Sequence, residues 1–109
     1  MARNLTPELL ELIALRFKVL AEPARLEILN ALKNGELTVT ELVDRTGLGQ
    51  ANVSKHLQLL LSHGFVERRR EGLFAYYELA DKDVLRLCDI MCGRLEAENT
   101  ARRKIVGAR

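Results

Sequence analysis

Apolar residues recur at helical spacing along most of this chain and switch to alternation in one short stretch. Thr6-Pro7 reads as a helix start, a capping hydroxyl followed by proline at the first helical position. Leu9, Leu10, Leu12, Ile13, Leu15, Phe17, Val19 and Leu20 follow. They cover more sides than one small core can bury, so this helix is expected to pack on its own domain and on something else. Glu22-Pro23 breaks it and opens a second helix, whose Leu26, Ile28, Leu29 and Leu32 lead to the stop signal Asn34-Gly35. Thr38 and Glu41 have the spacing of a capping box, which predicts a short helix to about Thr46. Gly47-Leu48-Gly49 makes a tight turn. The next helix, Gln50 to Ser62, turns Val53, Leu57, Leu60 and Leu61 to one side and ends at His63-Gly64.

The period then shortens. Phe65–Arg69 and Leu73–Leu79 read as two strands around a turn at Arg70-Glu71-Gly72. Asp81 or Asp83 begins a last helix with Val84, Leu85, Cys88, Met91, Cys92 and Leu95 on one stripe. A short helix, a glycine turn and a longer helix form a helix-turn-helix, and the hairpin behind it makes a wing. The expected fold is mainly α (α+β), a winged helix-turn-helix. It has about five helices and a two-stranded β-hairpin wing, and it dimerises through the first and last helices. Residues 1–98 form the single domain, and the basic tail, 99–109, is expected to fray.

A length of 109 residues, 48% of them hydrophobic, suits one domain of modest core. No apolar run reaches the roughly eighteen residues of a membrane span. The start MARNLTPELL lacks a signal-peptide pattern, so the expected location is the cytoplasm. Net charge is only +2, from 17 basic and 15 acidic residues, so charge placement matters more than charge total. Arg68-Arg69-Arg70 and the tail residues Arg102, Arg103, Lys104 and Arg109 are the basic clusters. Two cysteines make neither a disulfide framework nor, with distant His56 and His63, a zinc finger. A Gly-rich phosphate loop, a nucleophile elbow and a carboxylate pair are all missing, so an enzyme is not expected.

Residues 15–79 resemble the ArsR/SmtB regulators. The resemblance rests on Leu20-Ala21-Glu22-Pro23 with Arg25-Leu26 and Ile28-Leu29, then Gly35-Glu36-Leu37, then Val53-Ser54-Lys55-His56-Leu57. Arg69-Arg70-Glu71-Gly72 and Tyr76-Tyr77 with Leu79 complete the series. The resemblance implies a homodimeric repressor that leaves its operator when an inducer binds; many such proteins sense metal or metalloid ions, and others sulfur species or oxidants. Two departures stand out. Thr38-Val39-Thr40 occupies the place where arsenic and cadmium sensors of this kind often carry Cys-Val-Cys, and the last helix lacks the histidines of the zinc and cobalt sensors. Gly49 stands where a serine often caps the recognition helix.

With Val53 and Leu57 inward, Gln50, Asn52, Ser54, Lys55 and Gln58 fall on the open end and sides of the fourth helix; His56 lies between the faces, and it is the family resemblance that implies a contact for it. Gln and Asn suit adenine, and Lys reaches guanine or phosphate, so these residues are candidate contacts to double-stranded DNA. Arg68, Arg69 and Arg70 are candidate phosphate contacts from the wing; a charged strand edge that discourages aggregation is the plainer reading. Arg25 is expected to cap or pair within the domain. Cys88 and Cys92 share a helix face inside the expected dimer seam. They are either interface packing or a thiol sensor for an oxidant, a sulfur species or a soft metal or metalloid ion such as As(III), Cd(II), Zn(II) or Cu(I). No other cofactor is expected. The alternatives are a winged-helix protein-interaction module, or a repressor with no small-molecule inducer.

Overall fold

The computed structural model describes the backbone of residues 3–106, with side chains to residue 100. Helix α1 spans Pro7–Leu20 and α2 Pro23–Ala31, the latter running into a 3-10 turn at Leu32–Asn34. Strand β1 (Leu37–Thr38) leads into α3 (Val39–Thr46) and α4 (Gln50–Ser62). The hairpin β2 (Val66–Glu71) and β3 (Phe74–Leu79) precedes α5 (Asp83–Val106). This is a winged helix-turn-helix, as the sequence pattern indicates.

The local signals act as their chemistry dictates. Thr6 Oγ1 accepts from the Leu9 N–H at 3.2 Å and starts α1. Thr38 and Glu41 close a capping box: Thr38 Oγ1 accepts from the Glu41 N–H at 3.2 Å, and Glu41 Oε1 accepts from the Thr38 N–H at 2.9 Å. Gly47, with φ +74°, takes the left-handed position that ends α3 and bends the chain toward α4. The Asp81 carboxylate accepts from the Asp83 N–H at 2.8 Å where α5 begins.

The hairpin differs from expectation in two respects. The sheet has three antiparallel strands in the order β1-β3-β2, because Leu37 and Thr38 pair with Tyr77 and Tyr76 before the chain turns into α3. The turn also lies further along, at Gly72-Leu73, with Arg70 and Glu71 still paired to Ala75 and Phe74. Gly72 supplies the positive φ (+61°) that a two-residue connection needs at its first position. Phe65 is not in the strand; its N–H closes the end of α4 on the Leu60 carbonyl, and its ring is buried.

The core lies where α2, α3 and α4 meet the inner face of the sheet. Ile28, Leu42, Val53, Leu57 and Leu60 are fully buried, and no polar side chain is buried with them among the described residues. Helix α1 contributes only Val19 and Leu20 as buried residues, and α5 only Val84. Many of the other apolar residues of both helices are uncovered: Leu9, Leu12, Leu15 and Phe17 on α1, and Leu87, Ile90, Met91 and Leu95 on α5. Leu87 and Ile90 widen the apolar face beyond the stripe drawn from the sequence. A cleft of about 330 Å³ lies between the two helices, walled by Ile13, Phe17, Phe65, Val84 and Leu87 and bordered by the charged Arg16, Asp81 and Asp83. The radius of gyration, 17.0 Å, exceeds the roughly 13 Å of a compact chain of this size because α5 leaves the body. Helix α5 continues past residue 98 to Val106. Residues 107–109 of the expected tail, Arg109 among them, lie outside the described residues, as do the side chains of Arg102, Arg103 and Lys104.

Candidate nucleic-acid interface

Helix α4 is held from behind by Val53, Leu57 and Leu60, none of which is exposed at all. The opposite face carries Lys55, Gln58 and Ser62, with Gln50 and Ser54 along one flank and Asn52 along the other, all exposed. Ala51 lies in the middle of this face, in the first turn, and was not among the residues expected to matter. Its methyl group leaves the helix room to approach a surface closely, and such a group can contact a thymine methyl. The helix starts at Gly49, which provides no side-chain cap.

His56 is set apart from the others. It is half-buried between α4 and α2, and Arg25 Nη1 donates to its Nδ1 at 3.2 Å. That bond requires an unprotonated Nδ1, so the neutral ring carries its proton on Nε2. Burial pushes the His56 pKa below its ordinary value of 6.5; the Arg25 charge pushes the same way and outweighs the opposing Glu22. The same guanidinium donates from Nε to the Val19 carbonyl at 2.5 Å, capping the end of α1. Arg25 thus has the within-domain role expected for it, and it also positions His56. Arg25, Lys55, His56, Gln58 and Ser62 border an open hollow between α2 and α4.

The wing sorts its charges by face. Paired residues of β2 and β3 share a side, so Val66, Arg68 and Arg70 lie with Ala75, buried Tyr77 and Leu79. Glu67, Arg69 and Glu71 lie on the other side with Phe74, Tyr76 and Glu78. Arg69 is occupied there: it bonds both oxygens of Glu36, bonds Glu71 at 2.5 Å, and stacks 4.7 Å over the Tyr76 ring. The Arg69 bond holds the Glu36 carboxyl below its usual range, and the two carboxylates raise the Arg69 pKa further. Arg68 and Arg70 make no ion pair among the described residues. The three consecutive arginines are therefore two outreaching cations and one internal clasp, a division that only the strand register reveals.

A second arginine escaped the sequence reading altogether. Arg16 on α1 donates to the His63 carbonyl at the end of α4, 2.7 Å away, and lies 4.3 Å over the Phe65 ring. No motif announces it; it is one cation on a helix otherwise read for its leucines. Cys88 and Cys92 are free and exposed on α5. Among the described residues no three His, Cys, Asp or Glu side chains gather as metal ligands, so within one chain the two thiols have no third donor. No helix of the described residues is long and apolar enough to cross a membrane.

A recognition helix, an adjoining wing and a helix-turn-helix core meet in one small domain, and comparison with known proteins agrees. The family model for bacterial regulatory proteins of the arsR family matches residues 22–68. The "Probable mercury resistance operon repressor" of Streptomyces lividans is 40% identical over 86 residues, which cover 78% of this chain and 67% of that protein. The chain belongs to the arsR family. A further relative is the HTH-type transcriptional regulator Rv0324 of Mycobacterium tuberculosis, 44% identical over 72% of this chain; the match spans only 35% of that longer protein. Among solved structures, the homodimeric winged helix-turn-helix DNA-binding domain Mb0332 from Mycobacterium bovis superposes with a TM-score of 0.71 at 38% identity, covering 88% of this chain and 91% of that one. The protein is an arsR-family transcriptional regulator with a DNA-binding fold, and the family is one of regulators, not of enzymes.

Proposed function

We propose that this regulator is a cytoplasmic repressor that binds an inverted-repeat operator as a homodimer and is released by an inducer. The observation that carries the DNA reading is α4 itself: a helix buried on one side and lined on the other by exposed Gln50, Asn52, Ser54, Lys55 and Gln58. In the major groove these side chains meet base edges and phosphates, Ala51 permits close approach, and His56 presents its Nε2–H from a position fixed by Arg25. Arg68 and Arg70 neutralise phosphates from the wing, while Arg69 braces it. The uncovered apolar faces of α1 and α5 are the dimer seam, and the homodimeric state of the Mycobacterium bovis domain supports this. Two recognition helices then sit about 34 Å apart, one turn of DNA.

Cys88 and Cys92, one helical turn apart on α5, are the soft donors open to an inducer. The seam would bring the partner's pair toward them and supply the ligands that one chain lacks. The mercury-resistance relative supports a soft metal or metalloid; an oxidant or sulfur species acting on the thiols is the other inducer chemistry this pair suits.

Selection of duplexes from a randomised pool, followed by gel shifts at low and high salt, tests the DNA reading. A selected inverted repeat whose binding weakens in Lys55→Ala supports it; recovery of no specific duplex favours a protein-interaction module. Adding Hg(II), Cd(II), As(III), peroxide or polysulfide to the complex tests the inducer. A release that persists in the Cys88→Ser, Cys92→Ser double variant removes the thiols from the account.

A further inference from the structure

The wing tip carries an apolar side chain that the fold does not use. Leu73 is 97% exposed and Phe74 beside it 61%. Glu71 pairs with Phe74, so Gly72 and Leu73 alone make the connection. Gly72 takes the positive φ, and Leu73 does not. That is the pattern of a II′ turn, in which glycine satisfies the first position and the second accepts most residues. Neither turn nor core calls for leucine there.

The surroundings are suited to DNA. Arg68 and Arg70 project from one face of the wing without carboxylate partners among the described residues. Glu71, the carboxylate nearest the tip, is paired with Arg69, which it shares with Glu36. An apolar point therefore sits beside two outreaching cations on one face of the hairpin, while Glu67, Glu71 and Glu78 lie on the other face with Arg69. Only three residues separate α4 from β2, so a wing attached to a helix in the major groove falls on the flanking backbone and minor groove. Proteins that read the minor groove push leucine or phenylalanine between base steps and kink the duplex, while arginines grip the phosphates.

We propose that Leu73 is a minor-groove wedge, inserted at a base step flanking the major-groove contact, with Phe74 behind it and Arg68 and Arg70 on the adjacent phosphates. The proposal rests on the reading of α4 as the recognition helix. It also assigns a sequence preference to a place without base hydrogen bonds: pyrimidine–purine steps unstack most readily, so favoured duplexes carry one under the tip.

The test uses the full chain and a duplex it selects from a randomised pool, with 2-aminopurine placed at successive flanking steps. The parent protein should brighten the probe at one step and bend the duplex. Leu73→Ser, at a side chain with no fold contacts to lose, should bind about tenfold more weakly and abolish both signals, while Leu73→Met keeps them. A parent complex without brightening, or Leu73→Ser binding as tightly as the parent, overturns the wedge and leaves the α4 reading intact. A protein that selects no duplex overturns both.

Discussion

Replacing Arg25 with methionine removes two hydrogen bonds that join α1, α2 and α4 while keeping most of the aliphatic stem. One bond is to the Val19 carbonyl at 2.5 Å and the other to His56 Nδ1 at 3.2 Å. Hydrogen bonds from a charged donor contribute about 1.5–3 kcal/mol each. Both are only part-buried, so the lower half of that range applies, and the expected loss for the two is about 3–4.5 kcal/mol. A domain of this size shifts its melting temperature by about 4–8 °C per kcal/mol, so Arg25→Met should melt roughly 12–36 °C below the parent. Melting is followed by circular dichroism at one fixed protein concentration, because dimerisation would otherwise move the midpoint. Arg25→Lys, whose ammonium can reach one acceptor but not hold both, should fall between. The pH dependence supplies an independent readout. His56 titrates below 6.5 in the folded chain, first through burial and then through the Arg25 charge. As pH falls, the unfolded chain takes up this proton before the folded chain does. Stability is therefore full above about pH 6.5 and declines through the window below it. Arg25→Met removes one cause of the depression and narrows that window. The gap between variant and parent should shrink from about pH 7.5 to about pH 5.5. A variant that melts within about 2 °C of the parent, or a gap that widens in acid, would refute the account of Arg25 as a joint between helices.

Arg70→Ala should lower the slope of log affinity against log salt by about 0.9, the share of one phosphate contact, whereas Arg69→Ala should change that slope much less. Equal slope changes in the two variants would mean that the internal clasp does not survive on DNA. Thr38→Ala removes the capping-box acceptor at the start of α3 and should cost about 1 kcal/mol in chemical denaturation, with Thr38→Ser restoring most of it. An undiminished midpoint in Thr38→Ala would show that strand pairing to Tyr76, not the cap, holds this corner.

The helices were legible because each is written twice, once in apolar spacing and once in a terminal signal. Thr6-Pro7, Asn34-Gly35, Thr38 with Glu41, and Gly47 mark boundaries that lie within a few residues of those observed. The third strand was not legible. Leu37-Thr38 is too short to show alternation, and its partner Tyr76-Tyr77 lies almost forty residues away. The wing turn was misplaced because three arginines and a glutamate before glycine read as loop chemistry, while in the sheet they form an edge strand exposed on both faces beyond Val66. On α4 the polar row was legible from the heptad-like recurrence of Val53, Leu57 and Leu60, but Ala51 was invisible because a small residue announces nothing. The roles of Arg16, Arg25 and Arg69 depend on acceptors 47, 31 and 33 residues distant, and periodicity along the chain contains no such information.

Those distant acceptors give α1 an unusual position in the fold. Almost all of its apolar surface faces outward, so its place on the body owes little to burial beyond Val19 and Leu20. Two arginines make up the difference. Arg16 reaches from α1 to the carbonyl that ends α4, with its guanidinium laid on Phe65 just before the wing begins. Arg25 reaches from α2 to the carbonyl that ends α1 and, with the same side chain, to His56 on α4. Helix α1, with its uncovered leucines, is thus fastened by directional bonds to α4, with its row of exposed polar side chains. Packing alone would let α1 slide on an apolar surface with little change in energy. Hydrogen bonds to fixed carbonyls do not, because they weaken steeply with misalignment. A shift of α1 at the seam must therefore either break the Arg16 and Arg25 bonds or carry α4 with it. On the proposed reading, the dimer surface and the DNA-reading surface share one set of joints.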